Sequence, residues 1–270
     1  MNKCTIIIHQ GYGDLFNSIG IINYYSTIYD NITILLIDNS HIYIMEEIFK
    51  HKNNINFKIP NYINSLDDVY DTCIMCMTKS TNNRTCPRSG KEKCKLIDYN
   101  KYGENIIRIG SFQHFENWIN ELNKSKSFAH AFYSYQNLNQ NIRFNFFKLY
   151  NDKTKENYIY KNFVNKYGKK YILIHEDINR NIRINKNKIT QNIPIINLDN
   201  ISVYFVDYLK VIINASEIHL IDSSWSVFIY LLTYTKCKNI PIYLNETDTI
   251  KRGRSTNIYK NPTFNNWIFY

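Results

Sequence analysis

The sequence predicts an α/β protein built on parallel sheets. Two short β-branched runs, at residues 5–9 and 217–221, each stop at small or polar residues and then lead into a helical pattern. Such strand-to-helix junctions lie at the carboxyl edge of a parallel sheet, where ligand groups are held. Strand and helix patterns also alternate along both halves of the chain, which predicts one such sheet in each half.

The first half of the chain predicts a βαβαβ arrangement. Its strands are rich in isoleucine and its helices carry apolar residues at helical spacing. The predicted strands are residues 5–9, 32–37, 55–59 and 105–109, and the predicted helices are residues 15–29 and 41–50. The aromatic-rich stretch 112–150 is expected to hold helices and loops.

The second half of the chain repeats the alternation. Before it, the first domain ends with a predicted helix at 153–167, which Gly168 closes because glycine suits a left-handed cap. The predicted strands that follow are residues 171–175, 193–198, 217–221 and 240–244, and the predicted helices are residues 203–215 and 225–235. The domain boundary is placed at Gly168, which gives domains of residues 1–167 and 168–270.

Composition indicates a folding chain with a basic charge. Its 270 residues are 44% hydrophobic and 15% aromatic, and its formal net charge is +10. The charge would suit a phosphorylated partner, but the lysine content also follows from the bias toward Asn, Ile, Lys and Tyr that an AT-rich genome imposes. No basic stripe is interleaved with aromatic residues, so a nucleic-acid partner is not expected.

The sequence predicts a cytoplasmic protein without a transmembrane segment. No stretch approaches the roughly 20 continuous apolar residues of a membrane span, and the first residues read as a strand and not as a signal peptide. If the AT-rich source is a virus, the location is the host cytoplasm or the virion. In that setting the six cysteines are expected to be thiols.

Four cysteines cluster in one polar stretch: Cys73, Cys76, Cys86 and Cys94. Four thiolates on a short loop are the ligand set of a structural zinc site. The second pair is widely spaced, however, and no glycine follows the C-x-x-C pair, which favours scattered loop thiols. The expectation is therefore no metal, with structural zinc left open.

The N-terminal junction offers a candidate general base. Gly11 and Gly13 let the backbone turn tightly above the strand, and Asp14 falls at the start of the helix. Backbone N–H groups there stabilise a carboxylate. Asp14 would stand at the carboxyl edge beside His9 and Gln10, although a simple capping role is the alternative.

The C-terminal junction offers a candidate anion site. Asp222, Ser223 and Ser224 end a strand and open a helix, where hydroxyl and N–H groups bind anions. The only glycines of this half are Gly168 and Gly253, so a glycine-rich phosphate loop is absent. Helix capping by either serine is an equally good interpretation.

A third candidate group follows the predicted strand at 171–175. Arg180 is suited to a bidentate contact with a diphosphate, and His175 to a contact with the diphosphate or a sugar hydroxyl. A metal site built on this segment lacks a second histidine. A serine hydrolase is not expected, because the sequence has no G-x-S-x-G elbow.

These motifs together resemble a group of glycosyltransferase-like proteins of the GT-B architecture. The residues that carry the resemblance are the segment from His9 to Asp14, Ala131-Phe132-Tyr133, Ile174-His175-Glu176-Asp177 with Arg180, and the segment from Glu217 to Ser224. The glycine loop is similar to that of ADP-heptose lipopolysaccharide heptosyltransferases. The later segments are similar to fucosyltransferase-like proteins, although the His-x-Arg-Arg of that branch is here His175-Glu176-Asp177-Ile178.

The resemblance implies two Rossmann-like domains that face each other across a cleft. Residues 1–167 would bind the acceptor, and residues 168–270 would bind a nucleotide-diphospho-sugar. Asp14 maps to the proposed catalytic base of the heptosyltransferases. Arg180 maps to the arginine that holds the donor diphosphate, and Ser223 and Ser224 to the residues around the phosphates.

The expected function is therefore a hexosyl- or deoxyhexosyl-type transfer to a glycan or another hydroxyl acceptor. Asp14 would take the acceptor proton, while His175, Arg180 and the serines hold the leaving diphosphate, so that inverting displacement needs no metal or cofactor. One alternative is a catalytically silent protein that binds nucleotide sugars or glycans. Another is a zinc-dependent interaction module built on the cysteine loop.

Overall fold

A computed structural model confirms an α/β protein with parallel sheets. It describes residues 2–8, 11–36, 38–60, 62–63, 96–97, 101–103, 105–109, 128–178, 181–189, 191–200, 205–246 and 265–270. The chain divides into two compact units, Met1–Lys148 and Leu149–Tyr270. Among the described helices, none is both long and apolar enough to cross a bilayer.

The secondary structure of the first unit follows the predicted alternation closely. Its strands are β1 (Lys3–Ile8), β2 (Asn31–Leu35), β3 (Ile55–Lys58), β4 (Tyr62–Ile63), β5 (Leu96–Ile97) and β6 (Ile106–Ile109). Its helices are α1 (Tyr12–Tyr25), α2 (Asn39–Phe49), α3 (Phe128–Tyr135) and α4 (Asn141–Asn145). The described strands form a parallel sheet in the order β3-β2-β1-β6 and an antiparallel pair of β4 with β5.

The first sheet buries its isoleucines on the face that α2 covers. Phe57 of β3 contacts Phe49 of α2, with ring centroids 6.1 Å apart. Ile34 pairs with Phe57 and Ile6 pairs with Ile34, so these side chains share that face. Both isoleucines are fully buried. Burial of such side chains is the main contribution to the stability of this unit.

A buried polar cluster fixes α1 against α3 and α4. The Tyr133 hydroxyl donates to the Asn17 carbonyl at 2.7 Å, and Arg143 Nη2 donates to Asn17 Oδ1 at 2.5 Å. Gly20 permits the close approach, because a Cβ at this position would lie 2.7 Å from the Tyr133 hydroxyl and 2.8 Å from the Ile142 carbonyl oxygen. These contacts with α3 and α4 fix the position of α1, the helix that carries Asp14.

The second unit is also built on a parallel sheet. Its strands are β7 (Ile172–Ile174), β8 (Ile195–Asn197), β9 (Glu217–Ile221), β10 (Ile242–Asn245) and β11 (Trp267–Phe269), in the order β11-β10-β9-β7-β8. Its helices are α5 (Lys153–Tyr167), α6 (Leu209–Ile213) and α7 (Ser224–Thr235), with 3-10 turns at Lys186–Lys188, Leu198–Asn200 and Phe205–Tyr208.

Helix α5 packs within the second unit, although the prediction placed it in the first domain. Phe163 of α5 meets Tyr171 with ring centroids 4.7 Å apart, and Lys155 pairs with Asp207 at 2.9 Å. The compact units therefore divide before this helix and not at Gly168. The acceptor and donor roles of the two domains stay predictions.

Two local predictions differ from the structure, and one strand was missed. Within the predicted helix at 203–215, Phe205–Tyr208 form a 3-10 turn that leads into the short helix α6, and Phe205 packs against Trp225 with ring centroids 4.0 Å apart. Gly168 has φ 87° but ψ 174°, so it needs glycine without forming the left-handed helical cap. Strand β11 was not predicted. The Trp267 indole anchors it by donating to Thr233 Oγ1 at 3.2 Å.

Candidate functional site

The candidate base Asp14 lies in the first turn of α1, directly beyond β1. Gly11 precedes the helix in an extended conformation, and its carbonyl accepts the Asp14 N–H at 3.0 Å. Asp14 is half-buried, and Gly13 lies beside it in the same turn. The positive end of the helix dipole favours a carboxylate here. His9 and Gln10 lie outside the described residues.

A polar cluster that the sequence analysis missed lies beside this turn. Asp38 caps α2 and accepts hydrogen bonds at its Oδ1 from Ser40 Oγ at 2.6 Å and from the His41 backbone N–H at 2.9 Å. His41 Nδ1 lies 2.7 Å from the same oxygen. The Tyr12 hydroxyl donates to Ser40 Oγ at 3.0 Å, and the Tyr12 ring stacks on His41 at 4.5 Å. The first turns of α1 and α2 are therefore joined.

This cluster keeps Asp38 ionised. Burial raises the pKa of Asp38, but the hydrogen bonds from Ser40 and His41 lower it by more. The pKa therefore falls from its ordinary 3.8 to about 2. The carboxylate is thus a fixed negative charge at the carboxyl edge of the first sheet. It holds the His41 imidazole through Nδ1.

Replacing Asp38 with Asn should weaken the pH dependence of stability in acid. A carboxylate whose pKa is depressed on folding stabilises the folded state above its unfolded pKa, and that contribution is lost as the pH falls from about 4 to about 2. The wild-type advantage over Asp38→Asn in urea unfolding should therefore shrink across this range. Asp30→Asn, which removes an exposed carboxylate outside the cluster, is the control. An advantage independent of pH would contradict the assignment.

In the second unit, His175 directly follows β7 and meets an acidic partner. The His175 side chain is buried, and its Nδ1 lies 3.0 Å from Oδ1 of Asp199, which follows β8. Strands β7 and β8 are parallel neighbours, so their carboxyl ends bring the two residues together. Asp199 was not predicted.

The residues after His175 anchor a hairpin. Glu176 is buried, and its carboxylate accepts the Ile184 N–H at 3.2 Å. Asp177 and Ile182 exchange two backbone hydrogen bonds, of 3.0 and 2.8 Å. Arg180 belongs to the sequence between these two residues, but it lies outside the described part of the chain. These contacts give Glu176 a structural role in the hairpin, and it is not assigned as a metal ligand.

Asp222, Ser223 and Ser224 form the junction between β9 and α7. Ser223 is the N-cap of α7, and it exchanges hydrogen bonds with Ser226 in a capping box. The Ser223 N–H donates to Ser226 Oγ at 2.9 Å, and Ser223 Oγ accepts from the Ser226 N–H at 3.4 Å. The capping interpretation of Ser223 is thus confirmed. Phosphate binding by these residues stays a prediction.

A buried polar pair lies inside β9. Glu217 Oε2 lies 3.0 Å from His219 Nε2, Glu217 also accepts from the Gln191 amide, and the His219 ring stacks on Tyr243 at 4.4 Å. Burial lowers the pKa of His219, while the hydrogen bond to Glu217 opposes that shift. The imidazole is therefore neutral near pH 7. Because it is fully buried within the strand, this pair belongs to the core and not to the edge.

The zinc hypothesis falls on residues outside the described part of the chain: Cys73, Cys76, Cys86 and Cys94. Within the described ranges, no three histidine, cysteine or acidic residues come together as a metal site would require. Cys4 and Cys237 are buried, and burial raises the pKa of each thiol to about 12. Neither thiol is therefore reactive near neutral pH.

Comparisons with known proteins give a likeness to solved structures only. The sequence matches no family model and no curated protein. A solved structure described as the glycosyl transferase family 9 from Veillonella parvula DSM 2008 matches with a TM-score of 0.49 and 8% sequence identity. The match covers 100% of this chain and 85% of that chain.

Proposed function

We propose that this protein is a glycosyltransferase that moves a sugar from a nucleotide-diphospho-sugar to a hydroxyl group of a glycan, with inversion. The observation that carries the proposal is the position of Asp14, in the first turn of α1 at the carboxyl edge of the first sheet. This is the edge at which parallel α/β sheets bind ligands. The segment from His9 to Asp14 also carries the glycosyltransferase resemblance of the sequence.

In this proposal the first unit holds the acceptor and the catalytic base. The Asp14 carboxylate accepts the proton of the acceptor hydroxyl as that oxygen attacks the anomeric carbon, and the bond to the diphosphate breaks on the opposite face. Tyr12 and Ser40 position the loop, because their hydrogen bond ties the first turn of α1 to α2. This contact supports a fixed base geometry.

The second unit holds the donor in the same proposal. The N-terminus of α7, which Ser223 caps, and the guanidinium of Arg180 are assigned to the diphosphate. His175 is assigned to the same leaving group, and Asp199 Oδ1 lies 3.0 Å from its Nδ1. Since these groups neutralise the charge that develops on the diphosphate, the proposed displacement requires no divalent cation.

A thermal-shift screen of nucleotide-diphospho-sugars tests donor binding. A ligand at about 100 times its dissociation constant stabilises the folded protein by about 2.7 kcal/mol. For a chain of this size that corresponds to a rise in Tm of several degrees. The matching nucleosides and free sugars serve as controls, because they lack the diphosphate. If no member of a panel that spans the common bases and sugars shifts Tm, donor binding is disproved.

A transfer assay then separates the enzyme from a silent binder. The donor that shifts Tm is incubated with a broad panel of glycan acceptors, and release of the nucleoside diphosphate is measured together with the glycosylated product. The anomeric configuration of the product should be opposite to that of the donor, because direct displacement inverts it. Binding without transfer across the panel would favour the silent binder.

A further inference from the structure

A polar groove lies on the face of the first sheet that α2 does not cover. Because Phe57 of β3 faces α2, its neighbour Lys58 lies on the opposite face. Thr33 of β2 and Thr5 of β1 pair with each other and share this opposite face. A cavity of about 630 Å³ opens between these side chains and the segment that contains Tyr102.

Three lysines line the groove. Lys3, Lys58 and Lys101 all line the cavity, and none of the described residues that line it is acidic. Within the described part of the chain, none of the three lysines forms an ion pair. Three ammonium groups around one cavity raise the local concentration of anions, which indicates a charged ligand.

The floor of the groove supplies hydroxyl groups in a fixed frame. Thr5 is buried, and its hydroxyl donates to the Tyr102 carbonyl at 3.2 Å, which ties the wall of the groove to β1. Asn105 holds the same wall by donating to the Lys3 carbonyl at 3.0 Å. Thr33 is only half-buried, and its hydroxyl has no partner among the described residues. The floor therefore suits a ligand that carries hydroxyl groups.

The sheet becomes apolar beyond this floor. Ile7 and Leu35 follow Thr5 and Thr33 on the same face, and both are fully buried. An internal face of a parallel sheet is normally apolar along its whole length. The polar half of this face is thus a departure that packing does not explain.

We propose that this groove binds a saccharide that carries a phosphate or a carboxylate group. The lysines hold the anionic group, and the threonine hydroxyls bond to the sugar hydroxyls. Lys3 and Thr5 stand at the beginning of β1, whereas Asp14 follows the end of that strand; Lys58 is the last residue of β3. The proposal does not depend on glycosyl transfer.

The test uses the full chain, with glucose 6-phosphate as the probe and glucose as its neutral counterpart. Amide chemical shifts of Thr5, Thr33 and Gly103 report on the groove directly. They should move with glucose 6-phosphate and stay unchanged with glucose at the same concentration, and added salt should weaken the response. The readout is independent of turnover, so its failure is distinguishable from failure of the proposed function.

Charge-matched variants make the test specific. The triple variant Lys3→Gln, Lys58→Gln, Lys101→Gln should bind glucose 6-phosphate about ten- to a hundredfold more weakly, because the charge-assisted contacts are lost. The control triple variant changes three exposed lysines of the second unit, Lys161→Gln, Lys169→Gln and Lys170→Gln, and should bind like the wild type.

Four outcomes would overturn the proposal. Unchanged groove amides at about 10 mM probe, or an equal response to glucose, would show that no anionic saccharide binds there. Equal weakening in both triple variants would show that only net charge matters. Tighter binding of single-stranded RNA at the same amides would instead assign the groove to nucleic acid.

Discussion

Asp14→Asn should lower turnover by roughly 10²–10⁴-fold, which is the usual contribution of a general base. The amide keeps the shape of the carboxylate and its place in the first turn of α1, but it cannot accept the acceptor proton. Donor affinity should be nearly unchanged, because Asp14 is assigned to the acceptor. Turnover at saturating donor and calorimetry of donor binding measure the two quantities separately.

Arg180→Ala is the matched variant for the donor. It removes a charge-assisted contact to the diphosphate, so donor binding should weaken by about 1.5–3 kcal/mol. The roles assigned to Asp14 and Arg180 are wrong if calorimetry shows that Asp14→Asn loses as much donor affinity as Arg180→Ala. If Asp14→Asn retains full turnover, the base lies elsewhere.

The pair of Asp38 and His41 is another acid-base group of the first unit and serves for comparison. His41 is buried, and its Nε2 has no partner among the described residues. Because Asp38 holds the ring through Nδ1, His41 is assigned a positioning role beside Tyr12. His41→Asn should therefore raise KM for the acceptor more than it lowers kcat. A kcat loss equal to that of Asp14→Asn would transfer the role of base to His41.

Much of the fold could be predicted because local sequence and global packing agree. Strand β9 and helix α5 have the predicted bounds: the first is a β-branched run between polar residues, and the second lies between the cap Asp152 and Gly168. The 3-10 turn at Phe205–Tyr208 was not predicted, and the contact of Phe205 with Trp225 that accompanies it has no local signature in the sequence. Tertiary packing overrides local helix propensity at this point.

The candidate site could likewise be predicted from the sequence only in part. The positions of Asp14 and Ser223 follow from strand-to-helix junctions that are visible in the sequence. The contact of His175 with Asp199 joins residues that are far apart in the sequence, and it depends on the pairing of β7 with β8. The Asp38 cap did have a local signature, an acidic residue between a strand and a helix, but the contact of Ser40 with Tyr12 has none.

Gly20→Ala should destabilise the first unit, with a fall of about 1–3 kcal/mol in the free energy of unfolding. The added Cβ would lie 2.8 Å from the Ile142 carbonyl oxygen and 2.9 Å from the Arg143 Cα. These are backbone atoms, so α4 must move as a whole, and the buried bond from Arg143 to Asn17 is strained. This cost outweighs the roughly 1 kcal/mol by which alanine favours a helix over glycine.

Urea unfolding measures this effect, since the midpoint should fall while the m-value stays constant. Gly11→Ala is the control, because a Cβ at Gly11 meets no atom within 4 Å and changes only the cap preference of α1. Equal losses in the two variants would show that the close approach of α1 to α4 is not the cause. If Gly20→Ala is less stable than Gly11→Ala as predicted, it should also lose activity at a lower temperature than the wild type, because α1 carries Asp14 in its first turn.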